Sequence, residues 1–307
     1  MRVSSILVTG GAGFIGAHLT SSLLEKGERV VVLDNMSSGK LANLQALKIA
    51  PEIIVDDISR KESLEPLKAY DVKKIFHLAA QASVPLSVKD PVRDFEVNVQ
   101  GTINILEFAR AKGASVVFPS TVSVYAPDCP KPISENAVVH ASSPYGAAKA
   151  AGENYCFAYA NCFGVRVVVA RLFNVYGPLM AKYVIHDFVR KLKADPRSLR
   201  ILGDGEQIRD YLYVSDAVRA LLLLSEFGRS GQVYNVGSGN PVRITDLARL
   251  ITDELGLKDV ELEYTNEKIT GDIHQWYADS ARLAALGFKP EVSFAVGLHK
   301  TITSLTE

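Results

Sequence analysis

The chain has 307 residues, of which 48% are hydrophobic and 22% charged, enough to bury a large core in one α/β domain, with or without a smaller lobe. Lysine and arginine total 34, as do aspartate and glutamate, so the formal net charge is zero. This balance gives no reason to expect nucleic acid or an anionic membrane as a partner, and the apolar runs are too short to span a bilayer.

Short apolar strands alternate with amphipathic helices through the first half of the chain. The predicted strands are 6–9, 30–33, 53–55, 74–77, 115–119 and 165–170. The predicted helices are 14–26, 94–112 and 144–163. This alternation is typical of βαβ units, so we expect an α/β fold built on a doubly wound parallel (Rossmann) sheet covered on both faces.

The alternation loosens after residue 171. Glycine-containing turns separate predicted helices near 184–194, 215–226 and 243–255. We expect residues 1–170 to form the sheet domain and residues 171–307 to form mainly a smaller C-terminal substrate lobe, with a crossing back to the sheet near 211–236.

The cysteines favour a reducing environment. Cys129, Cys156 and Cys162 are too few and too irregularly spaced for a disulfide framework or a zinc site, so we interpret them as buried thiols and expect no metal. The first eight residues run straight into a glycine motif, which indicates a strand rather than a signal peptide. The protein is therefore predicted to be cytoplasmic.

A glycine motif joins the first predicted strand to the first predicted helix. Gly11, Gly13 and Gly16 let the backbone turn tightly and approach a pyrophosphate, whose charge the helix N-terminus meets. Asp34 ends the second strand, where its carboxylate can accept hydrogen bonds from both hydroxyls of an adenine ribose. No arginine follows at 35–38, so the pattern predicts NAD rather than NADP as the cofactor.

Tyr145 and Lys149 lie four residues apart on the helix predicted after the fifth strand, and therefore on one helix face. A free phenol has a pKa of about 10 and is a poor base at neutral pH. A nearby ammonium favours the phenolate, and Lys149 could also bond the nicotinamide ribose. The spacing is common by itself, but after a dinucleotide motif it predicts Tyr145 as a base beside a nicotinamide.

Motifs throughout the chain carry a family resemblance. They are TGGAGFIG (9–16), DN (34–35), DI (57–58), HLAA (77–80), NVQGT (98–102), ST (120–121), VY (124–125), the Tyr145/Lys149 pair, RLFNVYGP (171–178), GDGEQIRD (203–210) and NVG (235–237). With these motifs the chain resembles the extended short-chain dehydrogenase/reductase family, in particular its UDP-galactose (UDP-glucose) 4-epimerases and their nucleotide-sugar relatives.

The resemblance implies a set of site residues. The catalytic residues would be Tyr145, Lys149 and Thr121, although Thr121 alone would be interpreted as a strand-end hydroxyl bonded to the backbone. The cofactor site would contain Gly10, Gly13, Phe14, Ile15, Gly16, Asp34, Asn35, Ser37, Ser38, Gly39, Asp57, Ile58, Leu78, Ala79, Ala80, Asn98, Tyr145, Lys149 and Leu172. The substrate site would contain Thr121, Tyr145, Asn174, Arg209, Asp272 and Trp276.

The residues after Thr121 bear on the reaction. Relatives that dehydrate or decarboxylate a sugar carry an acidic residue shortly after this hydroxyl, whereas Val122 and Ser123 follow here. The resemblance therefore implies 4-epimerisation of a UDP-hexose through a 4-keto sugar, with Tyr145 removing and returning the 4-hydroxyl proton and NAD regenerated in each cycle. An epimerase or reductase for another nucleotide sugar, and a non-catalytic NAD-sensing binding protein, stay open as alternatives.

The family assigns Asn174 and Arg209 to the nucleotide diphosphate, and the planar fork of arginine suits phosphate. The chain departs from the family near 271–272, because Ile269 stands where an arginine is usual and Lys268 is the nearest positive charge. This departure affects the expected strength and identity of the nucleotide contact.

Trp276 falls where the family carries a residue beside the sugar. Small residues there accompany N-acetylated sugars, so a bulky indole predicts plain hexoses; the alternative is that this tryptophan only anchors the core.

A homodimer is also implied by the resemblance. The family pairs two long helices of each subunit, here 94–112 and 144–163, in a four-helix interface. We expect Phe108, Phe157 and Tyr159 on the outer faces of these helices.

Overall fold

The structure is a computed structural model that describes residues 4–267 and 273–306. Its strands are β1 (Ser4–Thr9), β2 (Val30–Asp34), β3 (Glu52–Val55), β4 (Asp71–His77), β5 (Ser115–Thr121), β6 (Val167–Leu172), β7 (Asn174–Tyr176), β8 (Ser198–Ile201), β9 (Ile208–Tyr213), β10 (Gln232–Val236), β11 (Pro241–Arg243), β12 (Glu261–Tyr264) and β13 (Gln275–Trp276). Its helices are α1 (Phe14–Glu25), α2 (Leu41–Gln45), α3 (Val84–Lys89), α4 (Pro91–Phe95), α5 (Gly101–Lys112), α6 (Pro144–Phe163), α7 (Val184–Ala194), α8 (Val214–Phe227), α9 (Ile244–Glu254), α10 (Ala281–Ala284) and α11 (Phe294–Thr306).

Seven parallel strands form the main sheet in the order β10-β6-β5-β4-β1-β2-β3. The predicted Rossmann fold is thereby confirmed. The last strand to join, β10, comes from the second half of the chain and pairs with β6. The domain division at residue 170 stays a prediction.

The two faces of the sheet bury separate apolar clusters. Leu7 and Val8 are neighbours on β1 and point to opposite faces, so each joins a different cluster. Helices α1 and α8 cover one face through side chains such as Leu19 and Leu221. Helices α5 and α6 cover the other, where Ile105 is completely buried. Continuous Val- and Leu-rich strands suit a sheet that is buried on both sides.

The expectation that Phe108 and Tyr159 face outward is wrong. Their exposed fractions are 6% and 8%, and both pack into the cluster between the helices and the sheet. Phe157 is partly buried against the same cluster. The sequence spacing placed these residues on α5 and α6 but could not tell which face meets the sheet.

The three cysteines are free thiols, of which two are buried. The expectation is wrong for Cys162, which is exposed one residue before the end of α6. None of the helices in the described part of the chain is both long and apolar enough to cross a membrane.

The smaller lobe contains the short strands and three amphipathic helices. β9 pairs with β7, β11 and β13, and β8 pairs with β12. Helices α7, α9 and α11 enclose the core of the lobe, which includes Phe188, Tyr211, Leu247 and Leu298. The predicted bounds of α7, 184–194, agree with the structure, and those of α9 differ by one residue at each end.

Helix α6 has the ends that its sequence predicts. The Ser143 hydroxyl accepts a hydrogen bond from the Gly146 amide at 3.2 Å, and Pro144 occupies the first turn. The helix closes at Gly164, whose φ of 67° lies in the left-handed region. These signals fix where Tyr145 and Lys149 stand relative to the end of β5.

A buried ion pair ties α6 to β6. The Arg171 guanidinium donates to both carboxylate oxygens of Glu153 at 2.9 and 2.6 Å, and the side chains are 4% and 3% exposed. Removing one partner of such a pair leaves a buried charge uncompensated, which typically costs several kcal/mol.

We therefore expect Glu153→Gln to lower the free energy of unfolding by about 3–5 kcal/mol, measured by urea denaturation. Arg190→Ala is the matched control, because it breaks an exposed pair with Asp187 and should cost less than about 1 kcal/mol. Equal losses for the two variants would contradict this account of α6.

Candidate active site

A cleft of about 950 Å³ lies between the carboxyl edge of the main sheet and the smaller lobe. Residues after β1 and after β4, such as Gly13 and Ala79, line its floor. These two strands are neighbours at the point where the strand order reverses, which is where open α/β sheets bind ligands.

The turn after β1 forms a cradle that side chains cannot enter. Gly10 has a φ of 70°, and a Cβ there would lie 2.6 Å from the Ala79 amide nitrogen. A Cβ on Gly16 would lie 2.0 Å from the Gly10 carbonyl oxygen. No side chain caps the N-terminus of α1 and no acidic residue lies in its first turn. The residues present therefore fit the pyrophosphate of a dinucleotide.

Asp34 is held at the end of β2 with both carboxylate oxygens directed. One oxygen accepts from the Ala12 amide at 2.9 Å and the other from the Met36 amide at 2.8 Å. The side chain is buried, yet it lines the cleft beside Asn35 and Ser37. This fixed carboxylate fits an adenine ribose and opposes a 2′-phosphate.

Most of the residues predicted for the cofactor line this cleft. They are Gly10, Gly13, Phe14, Ile15, Gly16, Asp34, Asn35, Ser37, Ser38, Ile58, Leu78, Ala79, Ala80, Tyr145, Lys149 and Leu172. Thr121, Asn174, Arg209 and Trp276, predicted for the substrate, line it as well. Asp272 and Lys268 lie outside the described residues.

Gly39, Asp57 and Asn98 are not among the residues that line the cleft, but each contacts one that is: Asp34, Asn35 and Gln81 respectively. The Asp57 carboxylate accepts from Asn35 at 2.9 Å and from Arg93. Burial raises the pKa of Asp57, but hydrogen bonds from Ser59, Asn35 and Arg93 outweigh burial and lower the pKa to about 2. Asp57 therefore acts on the cleft through Asn35, which it positions.

Tyr145 lies in the first turn of α6, partly buried in the cleft. Burial raises its pKa above the ordinary value, and contact with the Thr121 hydroxyl opposes the shift. The pKa of this phenol is therefore raised in the polypeptide itself, not lowered as the sequence predicts. The physical reason is desolvation, which disfavours the phenolate.

Lys149 is 3% exposed, and its ammonium lies 4.0 Å from the centroid of the Phe118 ring. Burial lowers its pKa to about 8, against the opposing influence of Cys156, Glu153 and Asp94. An ammonium with this pKa holds its proton weakly, so small changes in nearby charge alter its state at working pH.

His77 lies buried below Lys149 at the end of β4. Its ring nitrogens bond the hydroxyls of Thr9 at 2.7 Å and Thr102 at 3.2 Å. Burial, and then the charge of Lys149, lower its pKa to about 3. His77 is therefore neutral and structural.

Thr121 ends β5, and both interpretations of its hydroxyl apply. The hydroxyl accepts from the Ser123 amide and donates to the Ser123 hydroxyl, each at 3.2 Å. It also lines the cleft and contacts Tyr145.

Arg209 and Trp276 are paired on adjacent strands β9 and β13. The guanidinium lies over the indole, 5.0 Å from the ring centroid. Trp276 also packs against a small core cluster that contains Tyr125 and Phe173. Trp276 thus lines the cleft and also anchors a core cluster. Both interpretations from the sequence, a residue beside the substrate and a core residue, therefore apply to it.

The buried carboxylate of Asp210 aligns these strands. It accepts from the amides of Ser238 at 2.7 Å, Gly239 at 3.0 Å and Ala278 at 3.0 Å. The last bond fixes the chain just after β13. Asp210 thereby holds Arg209 and Trp276 in register.

The sequence predictions missed a contact across the cleft. Lys182 and Tyr183, which precede α7, both donate to the Ala82 carbonyl oxygen, at 3.3 and 2.8 Å. Tyr183 has a φ of 75° and a ψ of 176°, a conformation that is essentially confined to glycine. This strained backbone is the feature that distinguishes the segment. Because the sequence has no glycine at this position, it does not indicate such a conformation.

Comparisons with known proteins agree with the geometry. The model of the NAD dependent epimerase/dehydratase family matches residues 6–237. UDP-glucose 4-epimerase from Mycolicibacterium smegmatis is 37% identical over 96% of each chain, and a putative UDP-glucose 4-epimerase from Methanocaldococcus jannaschii is 35% identical over 97% of each. UDP-glucuronic acid decarboxylase 1 from Xenopus tropicalis is 35% identical over 97% of this chain and 71% of its own.

Solved structures extend the similarity to three dimensions. UDP-glucose 4-epimerase from Thermotoga maritima, with UDP-glucose, has a TM-score of 0.92 and 36% identity over 98% of each chain. UDP-N-acetylglucosamine 4-epimerase from Methanobrevibacter ruminantium M1 has a TM-score of 0.90 and 33% identity over 100% of this chain and 99% of its own. By its family match, its sequence identity over almost its whole length and its dinucleotide cradle, the chain belongs to the NAD dependent epimerase/dehydratase family and is an enzyme that uses NAD.

Proposed function

We propose that the enzyme interconverts UDP-glucose and UDP-galactose by 4-epimerisation. The observation that carries the proposal is the meeting of Tyr145, Lys149 and Thr121 in one cleft with no carboxylate next to Thr121 in the chain. The printed names of relatives from M. smegmatis and T. maritima support UDP-glucose as a substrate.

The similarity to a decarboxylase does not favour decarboxylation. The acidic residues among the described lining of the cleft are Asp34, Asp56 and Asp187. Asp34 and Asp56 lie at the end of the cleft that fits the adenine ribose, and Asp187 is paired with Lys191 at 2.7 Å. None is placed beside Thr121 for acid–base chemistry at a second sugar carbon.

Three side chains carry the proton chemistry in this proposal. When bound, NAD supplies the acceptor and later the donor of the hydrogen at C4. Tyr145 takes the proton of the sugar 4-hydroxyl and returns it after the keto sugar has turned over. The Lys149 ammonium stabilises the phenolate, and the Thr121 hydroxyl shares the proton with the sugar oxygen.

The other end of the cleft suits a nucleotide diphosphate. Arg209, Lys182 and Lys191 line it and supply positive charge. Asn174 begins β7 beside Tyr211 on β9 and adds a neutral polar group. We assign the diphosphate to this group of side chains, with Arg209 as the planar partner of the phosphate oxygens.

Incubation of the NAD-loaded enzyme with UDP-galactose should yield UDP-glucose with no net change in NADH. UDP-N-acetylgalactosamine should react more slowly, because the bulky Trp276 indole lines the cleft and leaves less room for an acetamido group. A protein inert on every UDP-hexose would contradict the proposal, and stoichiometric NADH consumption would favour a reductase. Product sugars are separated by chromatography.

Tyr145→Phe should lower kcat by about 10²–10⁴-fold, the range typical of losing a general base, while NAD still binds. Tyr264→Phe is the control, because this tyrosine on β12 is exposed and is not among the residues that line the cleft. Cofactor binding is measured by equilibrium titration. Undiminished turnover in Tyr145→Phe would show that Tyr145 is not the base.

We also propose a homodimer, through a surface other than the residues first expected. Leu86 and Val88 on α3, Val92 and Phe95 on α4 and Tyr155 on α6 are each more than two-fifths exposed. Helices α3 and α4 both pack against α6, so these apolar side chains belong to neighbouring elements. An exposed apolar surface of this kind is typical of an interface between subunits.

Phe95→Glu should convert the dimer into a monomer, because a carboxylate would be buried without a partner in the interface. Val296→Glu on α11 changes an exposed apolar residue elsewhere and should leave the dimer intact. The mass in solution is measured by light scattering; a monomeric wild type, or a dimeric Phe95→Glu variant, would contradict the assignment.

A further inference from the structure

A short segment of the smaller lobe reaches across the cleft to the opposite wall. Lys182 and Tyr183 lie between β7 and α7, and both line the cleft. The Lys182 ammonium donates to the Ala82 carbonyl oxygen at 3.3 Å, and the Tyr183 hydroxyl donates to the same oxygen at 2.8 Å. One carbonyl on the wall after β4 thus holds two side chains of the lobe. We call residues 181–183 the clasp.

The acceptor of these bonds lies beside the cofactor cradle. Ala82 belongs to the stretch 78–84 after β4, whose residues all line the cleft. Ala79 in the same stretch meets the glycine turn, because a Cβ on Gly10 would lie 2.6 Å from the Ala79 amide nitrogen. The clasp is therefore attached three residues along the chain from the point where this wall touches the turn.

The clasp lies between fixed points. On one side Met180 is 4% exposed and packs in the core of the smaller lobe, and the Pro178 carbonyl accepts from the His18 ring on α1 at 2.9 Å. On the other side Ile185, in the first turn of α7, is 1% exposed. Residues 181–183 between them are exposed, so they can leave the opposite wall while the lobe stays folded.

The backbone of the clasp is strained where it crosses the cleft. Tyr183 has a φ of 75° and a ψ of 176°, a conformation that costs free energy in a residue other than glycine and persists only where surrounding contacts impose it. The bond from the Tyr183 hydroxyl to Ala82 opposes this strain, and detachment would let the backbone relax. Strain of this kind is frequent in ligand clamps and switch segments. The clasp is thus built to detach more readily than an unstrained segment with the same bonds.

We propose that the clasp closes the cleft over bound NAD, and that its detachment from Ala82 limits the rate at which NAD enters and leaves. A dinucleotide that extends from the glycine turn to Tyr145 passes the stretch 78–84, so the clasp lies across its way out. The proposed reaction regenerates NAD in each cycle, and the enzyme therefore gains by retaining it between turnovers. The inference itself rests on the use of NAD and not on the proposed sugar.

The test is the exchange of NAD in the loaded enzyme. Radiolabelled NAD is released into an excess of unlabelled NAD, and the uptake rate follows from the release rate and the Kd measured by equilibrium titration. Tyr183→Phe removes one bond of the clasp and keeps the aromatic ring. Release and uptake should both become about three- to tenfold faster, the effect of losing one hydrogen bond, while the Kd stays nearly unchanged. Lys182→Met should act in the same direction, and the double variant should exceed either single one.

Lys193→Met and Tyr264→Phe are the matched controls. Lys193 on α7 also donates to a backbone carbonyl, that of Leu305 at 2.7 Å, and Tyr264 is an exposed tyrosine on β12. Neither residue is among those that line the cleft. Both variants should exchange NAD at the rate of the wild type.

Unchanged exchange in Tyr183→Phe and Lys182→Met would overturn the proposal. Faster release with a proportionally weaker Kd would overturn it as well, because that pattern describes side chains that merely contact bound NAD. Lys182→Met keeps the test decisive if Tyr183→Phe folds poorly. The measurement needs no sugar, so faster exchange in an enzyme inactive on UDP-hexoses would support the clasp and refute only the substrate.

Discussion

The active site depends on the buried ion pair between Glu153 on α6 and Arg171 on β6. Tyr145, Lys149 and Glu153 follow one another at intervals of four residues, so one face of α6 carries all three into the protein. The pair fixes this face against the sheet, while Ser143 caps the end of the helix nearest the cleft. A tyrosine base on a buried helix face requires such an anchor, because a small rotation of α6 would remove Tyr145 from the cleft.

Burial then shifts the pKa values of the two reacting groups, Tyr145 and Lys149. It raises the pKa of Tyr145 and lowers that of Lys149, so each group is biased toward its neutral form. Negative charge from Glu153 and Asp94 opposes this bias on Lys149 and favours its ammonium form. The polypeptide alone holds Tyr145 as a phenol, so the phenolate has to be formed in the assembled complex with cofactor and sugar.

Periodicity and motif position were sufficient to predict the sheet, the major helices and the glycine turn. The signals for α6 were local, namely Ser143, Pro144 and Gly164, and its bounds agree with the structure. The orientation of the outer helices could not be predicted from local sequence. Aromatic residues such as Phe108 and Tyr159 suit both a core and a subunit interface, and only the packing shows that they face the sheet. The choice between core and interface needed the three-dimensional arrangement.

Other parts of the site had no signal in the sequence. The π-helical turn over Glu96–Gln100, which contains Asn98, has no marker in the sequence. The bonds of Lys182 and Tyr183 to Ala82 join segments about 100 residues apart in the chain. An aspartate on a short helix is expected to be exposed, so the sequence gives no sign that Asp94 is buried. Its burial follows from the way α4 packs against α6. The wall of the cleft therefore depends on tertiary contacts, whereas the cofactor cradle is formed largely by residues that are close together in the sequence.

The central claim is that the hydrogen at C4 of the sugar leaves and returns within one closed site. The most direct measurement is the conversion of UDP-galactose carrying deuterium at C4, with the product examined by NMR and mass spectrometry. We predict that UDP-glucose retains the deuterium at C4 and gains none from heavy water in the converse experiment. Loss of the label to solvent, or its appearance at another carbon, would contradict the account.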